Sequence, residues 1–391
     1  MIVLSGADIV LSDRVLTGNS IVIRDGFIEE VTPAPRGGPR AETIDLSGRT
    51  ICPGFIDVHV HGTEGVDVLD GPEAVTAVAA RLPKHGVTAF CPTSVACAPE
   101  RLSTFLIAVD QVRHASAAGL ARVLPAHLES NFLNPEWNGA QPLTCLRQPF
   151  QKGGADFSGD DILQVIQRER AAVGIVTVAP ELPRGLDLVR HFVAAGHRVS
   201  LGHTGASYDE ARAAIAAGAS HATHLFNRMS SISSRSPGVV GAVLESNAVT
   251  AEIICDGHHV HPSLVTLAIR AKSISRLMAI TDGTAAAGLP VGTRARLGDQ
   301  TIIAGERTAI LEDGTLAGSV LTMDGALRML AGIGLTLPEA VRMCASTPAE
   351  ALGLSMMGAI AAGNHADLVV LTRDLRVHQT FIAGRPVLER G

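Results

Sequence analysis

Phe55-Ile56-Asp57-Val58-His59-Val60-His61-Gly62 is the stretch from which the rest of the chain can be read. Two histidines two residues apart in an apolar run fit a β-strand whose alternate side chains face one way. Both imidazoles then converge on one point, while Val58 and Val60 pack on the opposite face. Neutral imidazole suits zinc and its neighbours, so the strand is a candidate metal site. A buried strand with two incidental histidines would show the same pattern, and His-x-His alone does not separate the two readings.

Around this stretch the 391 residues are 46% hydrophobic and 18% charged, enough to build a large core, which excludes a disordered chain. That length suits one large domain plus a smaller one. A net charge of −6 with no long basic run argues against nucleic acid or an anionic membrane as partner. No signal-peptide pattern precedes the first strand-like segment and no apolar stretch is long enough to span a bilayer, so a cytoplasmic protein is expected. The six cysteines (Cys52, Cys91, Cys97, Cys145, Cys255, Cys344) are scattered without a Cys-x-x-Cys pair and read as buried thiols.

Residues 1–52 read as short strands between turns at Gly6, Gly18-Asn19 and Asp25-Gly26, with a loop from Pro33 to Pro39. The C-terminal end has the same texture, in Leu368–Leu371 and Gln379–Gly384. Small isolated sheets are marginal, so residues 1–52 and 355–391 are expected to pair into one small β-sandwich domain. From Pro53 to 354 the pattern becomes strand, loop, helix, repeated. Strands are expected at 55–61, 87–93, 122–129, 173–180, 198–204, 220–226, 250–256 and 276–282. Helices are expected at 72–84, 99–117, 160–170, 185–195, 207–217 and 262–273. Eight such strands predict an α/β fold, a (β/α)8 TIM-like barrel. An open doubly wound sheet is the alternative, but no Gly-rich phosphate fingerprint follows a first strand. A hairpin-like insertion (Leu297 to Leu316) and helices over 318–331 and 337–353 follow the eighth strand. Two long loops, 131–159 and 227–248, leave the C-terminal ends of strands three and six, where barrels of this kind place their sites.

Polar residues end those strands: His59 and His61 on strand one, Glu129 on three, His203 on five, His224 on six and Asp282 on eight. This set resembles the metal-dependent amidohydrolase superfamily. The finer match is to its N-acetylglucosamine-6-phosphate deacetylase family, carried by Pro53-Gly54-Phe55-Ile56-Asp57, His127-Leu128-Glu129, Ser200-Leu201-Gly202-His203-Thr204 and Ala222-Thr223-His224-Leu225-Phe226-Asn227. Further along it is carried by Arg235-Ser236-Pro237-Gly238, Asp256-Gly257-His258-His259-Val260-His261-Pro262, Thr281-Asp282-Gly283-Thr284 and Leu316-Ala317-Gly318-Ser319. The resemblance implies hydrolysis of the N-acetyl amide of N-acetyl-D-glucosamine 6-phosphate, or of a related N-acyl substrate such as N-acetylgalactosamine 6-phosphate or an N-acyl amino acid. A silent barrel acting as a binding module is the non-enzymatic alternative. A dimer is also implied.

On this reading Glu129, His203 and His224 hold one divalent cation, most simply zinc, with a position open to water. His59 and His61 could hold a second, bridged by Glu129. Asp282 is the general base that later passes its proton to the departing amine. His259 matches the family side chain that polarises the acetyl carbonyl, although a histidine in that run could merely pack or cap the next helix. Arg235 matches the family's phosphate arginine, in some members reaching across from the neighbouring subunit, and Asn227 and Arg228 match groups near phosphate or sugar. Two positions depart from the family. Ser130-Asn131 stand where Gly-Pro is usual, and Arg228 where a small residue is usual; both are expected to border the pocket. His127 and His221, in strands beside ligands, either support those ligands or pack. His85, His114, His191, His197, His365 and His378 are expected at helix ends or in loops.

Overall fold

A computed structural model of the chain describes residues 1–33, 42–115, 118–154 and 156–387. Most of the loop expected from Pro33 to Pro39, and positions 116 and 117 at the end of the helix expected over 99–117, lie outside the described residues.

Eight strands follow one another around a barrel: Phe55–Val60 (β1), Val87–Ser94 (β2), Ala126–Glu129 (β3), Val173–Val178 (β4), Arg198–Leu201 (β5), His221–Ala222 (β6), Thr250–Ile254 (β7) and Leu277–Ile280 (β8). Each pairs in parallel with the next. The circle closes just past β8, where Asp282 N–H donates to His59 O (3.1 Å) and His61 N–H to Gly283 O (2.8 Å). The TIM-like barrel expected from the sequence is the observed fold.

The strands are shorter than their apolar runs. Pro125 lacks an N–H to give the ladder, so β3 starts at Ala126, and Arg122–Val123 pairs separately with β2. Of the strand expected at 220–226 only two residues stay in the ladder, because the chain turns at His224 to bring its side chain into the site.

Helices cover the outside: Pro72–Arg81 (α1), Pro99–His114 (α2), Gly159–Arg168 (α3), Gly185–Ala194 (α4), Tyr208–Ala216 (α5), Gly238–Glu245 (α6), Pro262–Lys272 (α7) and Met323–Gly332 (α8). Local chemistry starts several of them. Ser158 with Asp161, and Ser207 with Glu210, form capping boxes at α3 and α5. α6 corrects the expected 227–248 loop. After Pro237 an apolar Gly-Val-Val-Gly-Ala-Val run forms a helix that buries Val239, Val240 and Val243.

The insertion after β8 is likewise more than a hairpin. Four antiparallel strands, Arg294–Leu297, Gln300–Ala304, Thr308–Leu311 and Leu316–Ser319, make a meander. Its last strand takes Gly318 and Ser319, which the sequence pattern placed in a helix, because Ser319 bridges to Gly283 beside the barrel mouth. The helix expected over 337–353 is broken into Leu337–Val341, a π-helical turn Arg342–Ser346, and Thr347–Leu352.

The two chain ends form a pair of small sheets. One holds Ile2–Ser5, Ser20–Arg24, Phe27–Thr32 and Glu42–Asp45. The other sets Thr50–Pro53 antiparallel to Leu368–Leu371, so the beginning and end of the chain share a sheet. Leu4, Ile9, Ile21, Ile23, Ile28, Ile51, Leu368, Val370 and Phe381 pack as a cluster of their own between them. The barrel's larger core runs under the helices and includes Phe55, Phe90, Phe105, Phe132 and Phe192. All six cysteines are free thiols, five of them buried.

Candidate active site

Six side chains that the sequence placed at strand ends meet at the C-terminal mouth of the barrel. His203 Nε2 and His224 Nε2 each lie 2.9 Å from Glu129 Oε1, and 3.0 Å from each other. His59 Nε2 and His61 Nε2 are 3.2 Å apart, and His61 Nε2 is 3.4 Å from Glu129 Oε2. Asp282 Oδ1 closes the group, 3.4 Å from His59 Nε2 and 3.3 Å from His61 Nε2. All six residues are buried.

Reaching this arrangement bends the backbone. His203, His224 and Asp282 leave their strands with φ of 49°, 30° and 51°, the left-handed region that non-glycine residues rarely adopt. Each such residue typically costs about 1–3 kcal/mol and persists only where its surroundings hold it. Gly318 is part of that hold. A Cβ there would sit 2.7 Å from the Asp282 carbonyl oxygen, and its φ of 64° suits glycine.

The donor set fits a divalent cation. His61 Nδ1 is 3.1 Å from Thr93 O and His203 Nδ1 2.9 Å from Trp137 O, so both rings hold a proton on Nδ1 and direct Nε2 into the site, where its lone pair would serve a cation. Two overlapping sets of ligand atoms result: Glu129, His203 and His224, and His59, His61 and Glu129. Burial works against a charge on His59, but the Asp282, Glu252 and Glu129 carboxylates outweigh it and hold that imidazole well above its usual pKa. For His61, burial again opposes the charge, while hydrogen bonds to Asp282 and Glu129 raise it to about 9. A field that strong in favour of positive charge favours a bound cation for the same reason.

His259 lies at the rim of the same pocket. Its Nδ1 is 2.6 Å from Asp256 Oδ2, which turns Nε2, buried and without a hydrogen-bond partner among the described residues, into the pocket. Burial lowers its pKa, and the hydrogen bond and charge of Asp256 more than reverse that. The neighbouring helix is capped by His261 instead, whose Nδ1 accepts from Ser263 N–H.

Asn227 and Arg228 line the pocket. The exposed Arg228 side chain lies across Gly139, where a Cβ would come within 2.9 Å of its Nε. Arg235 does not join the cluster. It sits exposed in the Ser-rich stretch before α6 and makes no hydrogen bond or ion pair among the described residues. Ser130 and Asn131 do not face the pocket as expected. Ser130 Oγ donates to Thr177 O (2.6 Å) and Asn131 Nδ2 to the carbonyls of Cys97 and Cys145 (2.8 and 2.7 Å). Both turn inward to satisfy buried carbonyls of β4, of the segment before α2 and of the long loop itself.

Three participants escaped the sequence reading. Gln141, deep in the 131–159 loop, donates from Nε2 to Glu129 Oε2 and accepts from Ala96 N–H (2.8 Å). Trp137 supplies a carbonyl through the same loop, which only tertiary folding carries back over the barrel. Glu252 is a fully buried carboxylate in the middle of β7, 2.9 Å from His59 Nδ1. A lone charge inside the run Thr250-Ala251-Glu252-Ile253-Ile254 was its available signal. Of the two strand histidines, His127 stands 3.6 Å from Glu252 with both nitrogens engaged, and burial lowers its pKa to about 4. His221 is buried below, with Nδ1 on Ser220 Oγ. A larger cavity of about 850 Å³ opens between the chain ends and α2, but shares no lining residue with this site.

The sequence profile of the amidohydrolase family matches residues 50–387. N-acetylglucosamine-6-phosphate deacetylase of Bacillus subtilis (strain 168) is 34% identical over 383 residues, covering 96% of this chain and 94% of its own. N-acetylgalactosamine-6-phosphate deacetylase of Escherichia coli O157:H7 is also 34% identical, with 95% of both chains covered. A mutant N-acetyl-D-glucosamine-6-phosphate deacetylase of Mycobacterium smegmatis, in complex with N-acetyl-D-glucosamine 6-phosphate, superposes with a TM-score of 0.89 at 33% identity over 99% of each chain.

Proposed function

The chain belongs to the amidohydrolase family, and from that premise we propose that it hydrolyses the N-acetyl amide of N-acetyl-D-glucosamine 6-phosphate to glucosamine 6-phosphate and acetate. The observation that carries this is the meeting of Glu129, His203 and His224 within hydrogen-bond distance of one another, with the Asp282 carboxylate facing them across His59 and His61.

Glu129, His203 and His224 would hold one divalent cation, and zinc suits two imidazoles and a carboxylate with an open position. His59 and His61 would hold a second, sharing Glu129. Such an ion lowers the pKa of water towards neutrality and polarises a carbonyl. Asp282 accepts the proton released as water attacks the acetyl carbon, then returns it to the sugar nitrogen as the C–N bond breaks. His259, oriented by Asp256, donates from Nε2 to the acetyl oxygen as negative charge develops there. Asn227 and Arg228 at the pocket wall contact sugar or phosphate. Arg235, exposed and without an ion-pair partner among the described residues, suits the phosphate of a substrate held by its own subunit or by a two-fold mate in a homodimer. Six free thiols suit a cytoplasmic setting.

N-acetylgalactosamine 6-phosphate is the second reading, favoured by the equal identity of the Escherichia coli relative. Acetate release from the two hexosamine phosphates and from unphosphorylated N-acetylglucosamine tests both. The glucosamine epimer is expected to give the highest kcat/KM and the unphosphorylated sugar the lowest. Preference for the galactosamine epimer moves the assignment to the second reading, and indifference to phosphate removes both.

A further inference from the structure

Glu252 is a carboxylate without access to solvent, in a strand whose five residues are all buried. Placing a charge there is costly unless something requires it. Its Oε2 is 2.9 Å from His59 Nδ1 and also accepts from the backbone N–H of His224 (3.3 Å). One oxygen therefore touches one residue from each of the two ligand sets.

The contact to His59 fixes its tautomer. With Nδ1–H directed at a carboxylate, the Nε2 lone pair can only face His61, Glu129 and Asp282. His61 and His203 anchor their Nδ1 on neutral carbonyls, of Thr93 and Trp137. Among the described residues His59 is the member of the group whose Nδ1 meets a carboxylate, which makes its Nε2 the more electron-rich donor. The contact to His224 acts on the backbone, at a residue whose φ of 30° needs holding.

His59, His127 and Glu252 also lie close enough together to suggest an ion site of their own. His127 excludes it. Its Nδ1 is 3.1 Å from Val58 O and its Nε2 2.8 Å from Thr177 Oγ1, leaving no lone pair for a metal.

We propose that Glu252 is a positioning residue that sets the cation affinity of the His59–His61 position, acting through the tautomer and orientation of His59. This rests on the cation assignment made above for Glu129, His59 and His61.

The test uses full-length protein stripped with a chelator and titrated with Co²⁺, followed by its visible absorption, and with Zn²⁺ against a chromophoric competitor. The unaltered protein is expected to take up two ions per subunit. In Glu252→Gln, which keeps the size and an acceptor for Nδ1–H, the weaker ion should bind about 10- to 100-fold less tightly. The tighter ion should stay within about threefold, and the melting temperature of the metal-free protein should stay close to that of the unaltered chain. His59→Ala combined with His61→Ala should remove the same ion. Glu252→Asp retains the charge but draws it away from His59, so it should also weaken that ion; it replaces the glutamine variant if the latter does not fold.

Unchanged affinity for both ions in the folded Glu252 variants overturns the proposal. So does an unaltered protein that binds a single ion indifferent to the His59/His61 substitution, or the failure of both Glu252 variants to fold. Two-ion binding without deacetylase activity would refute the proposed reaction and leave the role of Glu252 standing. Activity with unchanged affinities in Glu252→Gln would do the reverse.

Discussion

Asp282→Asn separates proton transfer from everything else Asp282 does. The residue is held by its backbone: its N–H donates to His59 O (3.1 Å) and its carbonyl accepts from Ser319 N–H (2.8 Å). Asparagine keeps both bonds and is among the residues that tolerate the φ of 51° found here. The Glu129–His203–His224 group closes on itself at 2.9–3.0 Å without Asp282, so its capacity for a cation should survive. What is lost is a carboxylate able to take up and return a proton. A positioned acid–base group typically contributes about 10²- to 10⁴-fold, or about 3–5 kcal/mol of barrier. Initial rates of acetate release from N-acetyl-D-glucosamine 6-phosphate, measured across substrate concentration beside zinc content after dialysis, should show that loss in kcat. KM should stay within severalfold, and the ion at the Glu129 group should remain. A variant turning over within tenfold of the unaltered protein, or one that loses that ion, would refute the reasoning.

His203→Ala should abolish the essential ion and with it activity, whereas His59→Ala plus His61→Ala should empty at most one further position; elemental analysis showing the opposite order would reverse the assignment. Arg235→Ala removes a charge-assisted contact of about 1.5–3 kcal/mol, so kcat/KM for the 6-phosphate sugar should fall roughly ten- to a hundredfold while the unphosphorylated sugar is unaffected. Equal loss on both would make Arg235 structural, and recovery of activity on mixing Arg235→Ala with Asp282→Asn protomers would place its contact across a dimer interface. Burial opposes a charge on Asp324, yet His85, Thr322 and Arg328 (Nη1 2.6 Å away) hold its carboxyl far below the ordinary range. Its stabilisation is therefore full above the unfolded carboxyl pKa of about 4 and is lost as pH falls through the folded value. The gap in melting temperature between the unaltered protein and Asp324→Asn should be constant near neutrality and shrink in acid; a gap that widens in acid would show the sign to be wrong.

The barrel was legible because eight apolar runs repeat with helical segments between them, and because parallel strands buried on both faces must be apolar along their length. The six site residues were legible because each interrupts such a run at its C-terminal end. Where the reading failed, the cause was local. A proline shortened β3, turns at His224 and Asp282 ended strands early, and an apolar run after Pro237 became a helix where turn residues suggested a loop. Ser130 and Asn131 were expected at the pocket and instead satisfy carbonyls of Thr177 in β4, of Cys97 before α2 and of Cys145 in the long loop.

The sequence by itself determined the barrel, the pairing of the two chain ends and the identity of the side chains that meet at the mouth, because hydrophobic period and strand-end chemistry are local signals. Only the tertiary structure decided which groups stand behind those side chains. Glu252 comes from β7 and lies 193 residues from His59, the carbonyl of Trp137 reaches His203 from a loop 66 residues earlier, and Gln141 returns to Glu129. A hydrogen bond between residues that far apart leaves no period in the chain, since its partners are brought together by the closure of the barrel and not by their spacing.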